Sequence, residues 1–230
     1  MTSTRLMEFL IQYSFFLISA AVHESSHAWT AYRFGDPTAK LQNRISLNPI
    51  HHIDLIGTVL IPFFVFLSNV PVIGWAKPTP VNPQNFKNPR RDGMYVSGAG
   101  PVSNLLCVAL LAILWHIAFF AIGPVTSGVP LTSFQRIALL FCYVFGTGIL
   151  VNLMLAVFNL LPIHPLDGSG VLEGVLPHLW AEAYEKMRPF GFLILLVLFY
   201  TPAFKVLFRN AIGIFGNILG VQFFSLEGIW

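Results

Sequence analysis

Four long apolar runs, at about 8–32, 55–73, 95–122 and 134–161, constrain this chain more than any other feature. A helix needs about 20 apolar residues to cross a bilayer core, where every backbone polar group must be satisfied within the protein. Runs of this length predict helices and argue against a soluble fold. Composition agrees, with 55% of the 230 residues hydrophobic and 10% charged, whereas globular domains carry about 25% charge. The expected fold is an all-α polytopic membrane protein, a single domain over residues 1–230 with no soluble domain appended. A shorter run at about 189–204 and a mixed tail at 206–224 add one or two C-terminal helices. They read either as a fifth span followed by a helix lying in the interface, the favoured reading, or as two short tilted helices in a hairpin. No Lys/Arg cluster with interleaved aromatics suggests nucleic acid. Cys107 and Cys142 stand singly in apolar runs and read as packing residues.

Arg5 followed by an apolar stretch and Ser19-Ala20-Ala21 has the outline of a cleavable signal. The apolar run continues to Tyr32, too far for a signal, so the first helix is read as uncleaved. Lys/Arg bias sets orientation, with the excess on the cytoplasmic side. Seven of the thirteen Lys+Arg lie between the first helix and the one starting near Tyr95: Arg33, Lys40, Arg44, Lys77, Lys87, Arg90 and Arg91. They flank the 55–73 run on both sides. If the run spans, one of these basic groups lies outside; a re-entrant hairpin, broken at Pro62, Pro71 and Gly74, keeps them all on one side and is the favoured reading. The following "GWAKPTPVNPQNFKNPRRDG" is too rich in Pro and Asn for a helix and reads as strand-like and loop.

His23-Glu24-Ser25-Ser26-His27 places three titratable groups inside the first run. Histidines four apart share one helix face and can hold one Zn²⁺, with the glutamate beside them as base for a water at the metal. A helix-packing trio is the plainer reading. An intramembrane acid costs at least roughly 2.5–3.5 kcal/mol at mid-membrane, however, which favours a functional cluster. Catalytic zinc usually takes three protein ligands and a water. The best candidate for the third is Asp167 in "FNLLPIHPLDG", just past a proline-broken helix end that the inferred topology brings to the same side. Alone, "LDG" reads as a turn. Asn159 carries an amide in an apolar helix and can donate to a substrate carbonyl or its oxyanion.

"HESSH" with the later "NLLPIHPLDG" resembles the site-2 protease family, the intramembrane zinc metalloproteases, and "SGAGPVSN" resembles that family's central Gly-Pro-x-x-Asn element. The three motifs occur in the family's order over residues 23–168. The resemblance implies a core of three transmembrane helices carrying one Zn²⁺ per chain on His23, His27 and Asp167. It implies Glu24 as general base and acid, Asn159 as a substrate contact, and Gly100 and Asn104 as packing residues near the site. The form is compact, without appended PDZ or CBS domains. His164 inside the third motif is a departure, read as a supporting group or a solvated loop residue. The insertion holding His51, His52 and Asp54 is read as an interface segment, with Asp54 capping the re-entrant helix.

The expected function is a zinc endopeptidase cutting transmembrane segments of protein substrates, in the cell membrane with its site toward the cytoplasm. The alternative is a zinc-binding membrane protein without catalysis, either a metal transporter or a pseudo-protease scaffold. A transporter spreads ionisable groups along a path, and a pseudo-protease loses its glutamate. A di-iron oxidase needs more histidine clusters than His51-His52 supplies. His116, His178 and the charges at Glu182, Glu185, Lys186 and Arg188 read as structural or solvated.

Overall fold

The computed structural model describes residues 3–68, 74–124 and 130–221. Its helices are α1 (Ser3–Arg33), α2 (Thr38–Leu41), α3 (Ile61–Ser68), α4 (Pro89–Ile122), α5 (Ser133–Asn159), α6 (Asp167–Val175), α7 (His178–Glu185), α8 (Gly191–Tyr200) and α9 (Pro202–Leu219). No β-strand occurs among the described residues. Among the described residues three helices are long and apolar enough to cross a membrane, with 30, 34 and 27 residues in Thr4–Arg33, Pro89–Ile122 and Ser133–Asn159. They coincide with the first, third and fourth apolar runs.

Local sequence sets the helix ends. Pro89 opens α4, where its missing N–H costs nothing. Asp92 in the first turn is 1% exposed and accepts the Asn88 N–H at 3.0 Å. α5 begins with a reciprocal cap: Thr132 Oγ1 accepts the Gln135 N–H and the Gln135 side chain accepts the Thr132 N–H. Gln135 Nε2 also donates to Ile122 O at 3.2 Å, which ties the start of α5 to the end of α4.

α4 and α5 pack together around Val108, Ala112, Trp115, Cys142, Ile149 and Leu153. α1 lies against both helices, and its buried Ala20, Ala21 and Ala28 keep that contact close. Lipid tails are as apolar as leucine, so close van der Waals packing between small residues drives such association.

The 55–73 run resolves into a π-helical turn, Leu55–Leu60, leading into α3; its last residues, 69–73 with Pro71, lie outside the described residues. The two helical pieces rise only about 20 Å, short of a hydrocarbon core of about 30 Å. Trp75 N–H donates to Gly57 O at 3.2 Å, and Thr58 Oγ1 donates to Trp75 O at 3.0 Å. The chain therefore leaves this segment beside the point where it entered, as a hairpin. Gly57 permits the approach, since a Cβ there would collide with the Trp75 indole. Asp54 starts the hairpin by accepting the Ile56 and Gly57 N–H groups at 3.1 and 2.7 Å. That is the capping role read from sequence.

At the C-terminus α8 and α9 are bent by 77°. The break falls at Thr201-Pro202 rather than near residue 205, because Pro202 has no N–H to continue α8. α8 has 10 residues and rises about 15 Å, so it does not cross a bilayer alone. His116 Nε2 donates to Leu219 O at 2.7 Å and docks the end of α9 on α4, a structural role as expected. Residues 222–224 of the predicted tail and 125–129 of the loop before α5 lie outside the described residues.

Candidate metal centre

One helical turn sets the first two candidate ligands side by side. The His23 and His27 rings on α1 lie 4.7 Å apart, edge to face, and are 6% and 7% exposed. Each ring uses Nδ1 to anchor itself: His23 donates to Asn104 Oδ1 at 2.6 Å and His27 donates to Val96 O at 2.6 Å. A backbone carbonyl only accepts, so His27 Nδ1 carries a proton, and in the neutral ring the lone pair is on Nε2. The amide of Asn104 is oriented by its other contacts. Its Nδ2 donates to Asn152 Oδ1 at 2.9 Å and to Ser19 O at 3.3 Å, which turns Oδ1 toward His23. Asn152 Nδ2 in turn donates to Gly148 O at 2.9 Å. A buried amide chain thus runs from α5 through α4 to the His23 ring on α1.

Gly100 makes room for both imidazoles. A Cβ at that position would collide with His27 Nε2 and His23 Nε2, so a glycine in the central helix serves the site directly.

Asp167 is the first residue of α6, where the helix dipole favours a carboxylate. Its Oδ2 lies 3.0 Å from His23 Nε2 and 3.3 Å from His27 Nε2. Donor atoms of the three residues all fall within 4.8 Å of one another. The donor set fits zinc: two nitrogens and a carboxylate at metal–ligand lengths of about 2.0–2.2 Å in tetrahedral array have edges of about 3.3 Å. The predicted pairing of a motif near residue 25 with one near 167 is thus present in the fold, 144 residues apart in sequence.

Glu24 faces the same cavity from the adjacent side of α1, in a hollow of about 540 Å³ that Asn159 and Phe158 also line. Its Oε2 accepts the Thr79 backbone N–H at 2.7 Å and the Thr79 hydroxyl at 2.7 Å. Thr79 belongs to the non-helical segment 74–82, a strap whose Trp75, Ala76, Pro78, Thr79 and Val81 line the cavity. Lys77 N–H donates to His52 O at 2.8 Å, the Arg44 guanidinium donates to Lys77 O, and Asn82 N–H donates to Asp36 Oδ2 at 2.7 Å. Asn159, the last residue of α5, donates Nδ2 to Leu155 O at 2.9 Å. An amide nitrogen carries two hydrogens, and the second is left for a ligand in the cavity.

Other singled-out residues fall elsewhere. His164 is 5% exposed and stacks 4.9 Å from Tyr184, so it is neither a ligand in the cluster nor a solvated loop residue. Burial and the nearby Arg188 hold its pKa below the ordinary histidine value. His51 is exposed, whereas His52 is buried and donates Nε2 to Ser46 O at 2.7 Å. His178 pairs with Glu182 at 3.3 Å on an exposed face.

Residues 12–199 match the model of peptidase family M50. The chain belongs to this family. It is 40% identical over 186 residues to the "Putative zinc metalloprotease YwhC" of Bacillus subtilis, covering 81% of this chain and 78% of that protein. It is 32% identical over 220 residues to the "Putative zinc metalloprotease Rip2" of Mycolicibacterium smegmatis, covering 93% and 76%. The Rip2 of Mycobacterium tuberculosis H37Rv is 30% identical over 211 residues, covering 90% and 73%. No solved structure matches the chain. As an M50 member with helices able to cross a membrane, the chain is an integral membrane zinc metalloprotease.

Three contributors to the M50 site were not singled out in the sequence: Thr79, Arg44 and Asn152. Asn152 carried a usable signal, an amide inside an apolar helix, the same signal that marked Asn159. Arg44 read only as one of seven basic residues, although it is 3% exposed.

Proposed function

We propose that this M50 protease hydrolyses peptide bonds in or near transmembrane segments of membrane-protein substrates, using one Zn²⁺ per chain held by His23, His27 and Asp167. The observation that carries this reading is the convergence of three donor atoms and Glu24 on one cavity among membrane-length helices. Bound zinc supplies Lewis-acid polarisation and makes water acidic near neutral pH.

The chain's own residues supply the rest. Glu24 accepts the proton of the attacking water on its carboxylate and returns it to the amine nitrogen as the peptide bond breaks, so protons balance over the cycle. Asn159 offers its free amide hydrogen to the carbonyl oxygen as negative charge develops there. Phe16, Ala20, Phe158 and Leu166 give the cavity apolar walls that accept apolar side chains and exclude bulk water.

The strap supports an extended substrate. Trp75, Lys77 and Thr79 commit backbone groups to the hairpin, Arg44 and Glu24, and the intervening Ala76 and Pro78 line the cavity together with Trp75 and Thr79. A peptide unwound from a helix can pair along that edge, with main-chain bonds setting its register. Pro78 has no N–H, so the edge offers Ala76 as donor and the two carbonyls as acceptors. The basic residues at 33–91 favour the cell membrane with this end of the bundle in the cytoplasm.

The reading is tested by expressing the wild-type chain and Glu24→Gln in cells and mapping protein termini in the membrane fraction. The expected result is a set of new termini within or beside transmembrane segments that only the wild type generates, while both proteins retain zinc. Identical termini in the two samples would overturn the reading.

A further inference from the structure

We propose that Thr79 is the positioning residue for Glu24, holding one carboxyl oxygen in place so that the other meets the water. The assignment rests on the reading of Glu24 as general base. Three contacts join the two residues: Thr79 N–H to Glu24 Oε2 at 2.7 Å, Thr79 Oγ1 to Oε2 at 2.7 Å, and Thr79 Oγ1 to Glu24 O at 2.9 Å. Both contacts to the carboxyl group use Oε2, which leaves Oε1 for the substrate water.

The hydroxyl has one hydrogen and two acceptors within reach, Glu24 Oε2 and Glu24 O, and the backbone N–H is a second donor to Oε2. Two donors on one carboxyl oxygen fix the plane of the group, and the contact to Glu24 O ties Thr79 to the helix backbone beside it. A hydrogen bond to a carboxylate is of the stronger kind, so the hydroxyl contributes to that orientation beyond the backbone N–H.

The sequence around Thr79 is suited to this. In Pro78-Thr79-Pro80 the flanking residues have no N–H, so Thr79 carries the one backbone donor of the tripeptide. Its position is fixed on both sides, by the Lys77 bonds to His52 and Arg44 and by the Asn82 bond to Asp36. A strap anchored at that many points is a rigid arm rather than a loose cover.

The test compares zinc-loaded full-length wild type, Thr79→Val, Thr79→Ser and Glu24→Gln in detergent. The probe is a quenched fluorescent peptide with an apolar segment of about 20 residues. Valine keeps the shape of threonine and removes the hydroxyl, while serine keeps the hydroxyl. Thr79→Val is expected to lower kcat about 10- to 100-fold, as for loss of a hydrogen bond to a charged group. KM should stay within about twofold and Thr79→Ser should recover kcat to within about threefold of wild type. Cobalt(II)-substituted wild type, valine and serine proteins should share one visible spectrum, since the metal ligands are untouched. Wild-type kcat in Thr79→Val would overturn the proposal, as would a serine variant no better than valine. A changed cobalt spectrum in Thr79→Val would also overturn it, by making Thr79 a packing residue. The two readings fail differently. If wild type and Glu24→Gln treat the peptide alike, the protease reading falls; if only Glu24→Gln is inactive, the Thr79 assignment falls alone.

Discussion

The cavity has two walls of different construction. On the helical wall, formed by α1, α4 and α5, one hydrogen-bonded chain runs from Gly148 through Asn152 and Asn104 to His23. On the strap wall, formed by residues 74–83, the backbone is irregular and its polar groups are met one by one by Arg44, His52 and Asp36. Helices satisfy their own backbone, so they can carry metal ligands through an apolar medium with little further support. Only an extended segment has a backbone edge to offer to a peptide. Two of the three candidate ligands, His23 and His27, accordingly stand on the self-sufficient wall, and the edge that can meet a substrate is on the wall that needs propping.

If that contrast is right, damage to the helical wall should register as lost metal, and damage to the strap wall as lost turnover or stability with metal retained. The largest effect is expected from Gly100→Ala, which drives a methyl group into both imidazoles. Zinc affinity should fall more than about 100-fold, read by zinc content after dialysis against a graded chelator. Wild-type retention would mean the rings have room to move. Asn104→Leu removes the acceptor for His23 Nδ1 and should weaken zinc about 10- to 100-fold, the usual range for such an outer partner. An unchanged affinity would show that the amide chain is packing alone.

The smallest effect belongs to the strap wall. Asp36 is 0% exposed: burial pushes its carboxyl up, but hydrogen bonds from Thr38, Asn82 and Asn85 outweigh that and hold it below the ordinary range. A depressed native pKa contributes stability that is complete above the unfolded value of about 3.9 and is lost as pH falls through the lower native value. The unfolding midpoint in detergent should therefore drop below about pH 4 in the wild type, and Asp36→Asn should flatten that limb. At neutral pH the variant should melt about 2–4 °C lower and keep its zinc. Zinc loss in Asp36→Asn would erase the distinction between the walls.

The same contrast explains what could be read in advance. His23, Glu24 and His27 were legible because their chemistry is encoded in a four-residue spacing on one helix. Asp167 was legible as the end of a proline-broken helix and through a family motif, not through any local signal of its own. Asn152 was legible in principle, since an amide in an apolar run needs a partner. Thr79 was not. Its contacts with Glu24 use a backbone N–H and a hydroxyl that carry no signal in a proline-rich stretch, and they join positions 55 apart in the sequence through the hairpin between them. The hairpin itself was readable only from the placement of basic residues on both sides of residues 55–73. Its π-helical start and the meeting of Gly57 with Trp75 arise from tertiary packing.

The amide chain from α5 to His23 also bears on the order of events when the protein is made. Helices already inserted in lipid have no hydrophobic incentive to find one another, and matched amides are among the few contacts that select the right neighbours. Asn104 and Asn152 supply such a match between α4 and α5 without using any metal-binding atom. The bundle can therefore assemble first and receive its ion afterwards. Zinc supply would then govern when the protein works rather than whether it is built.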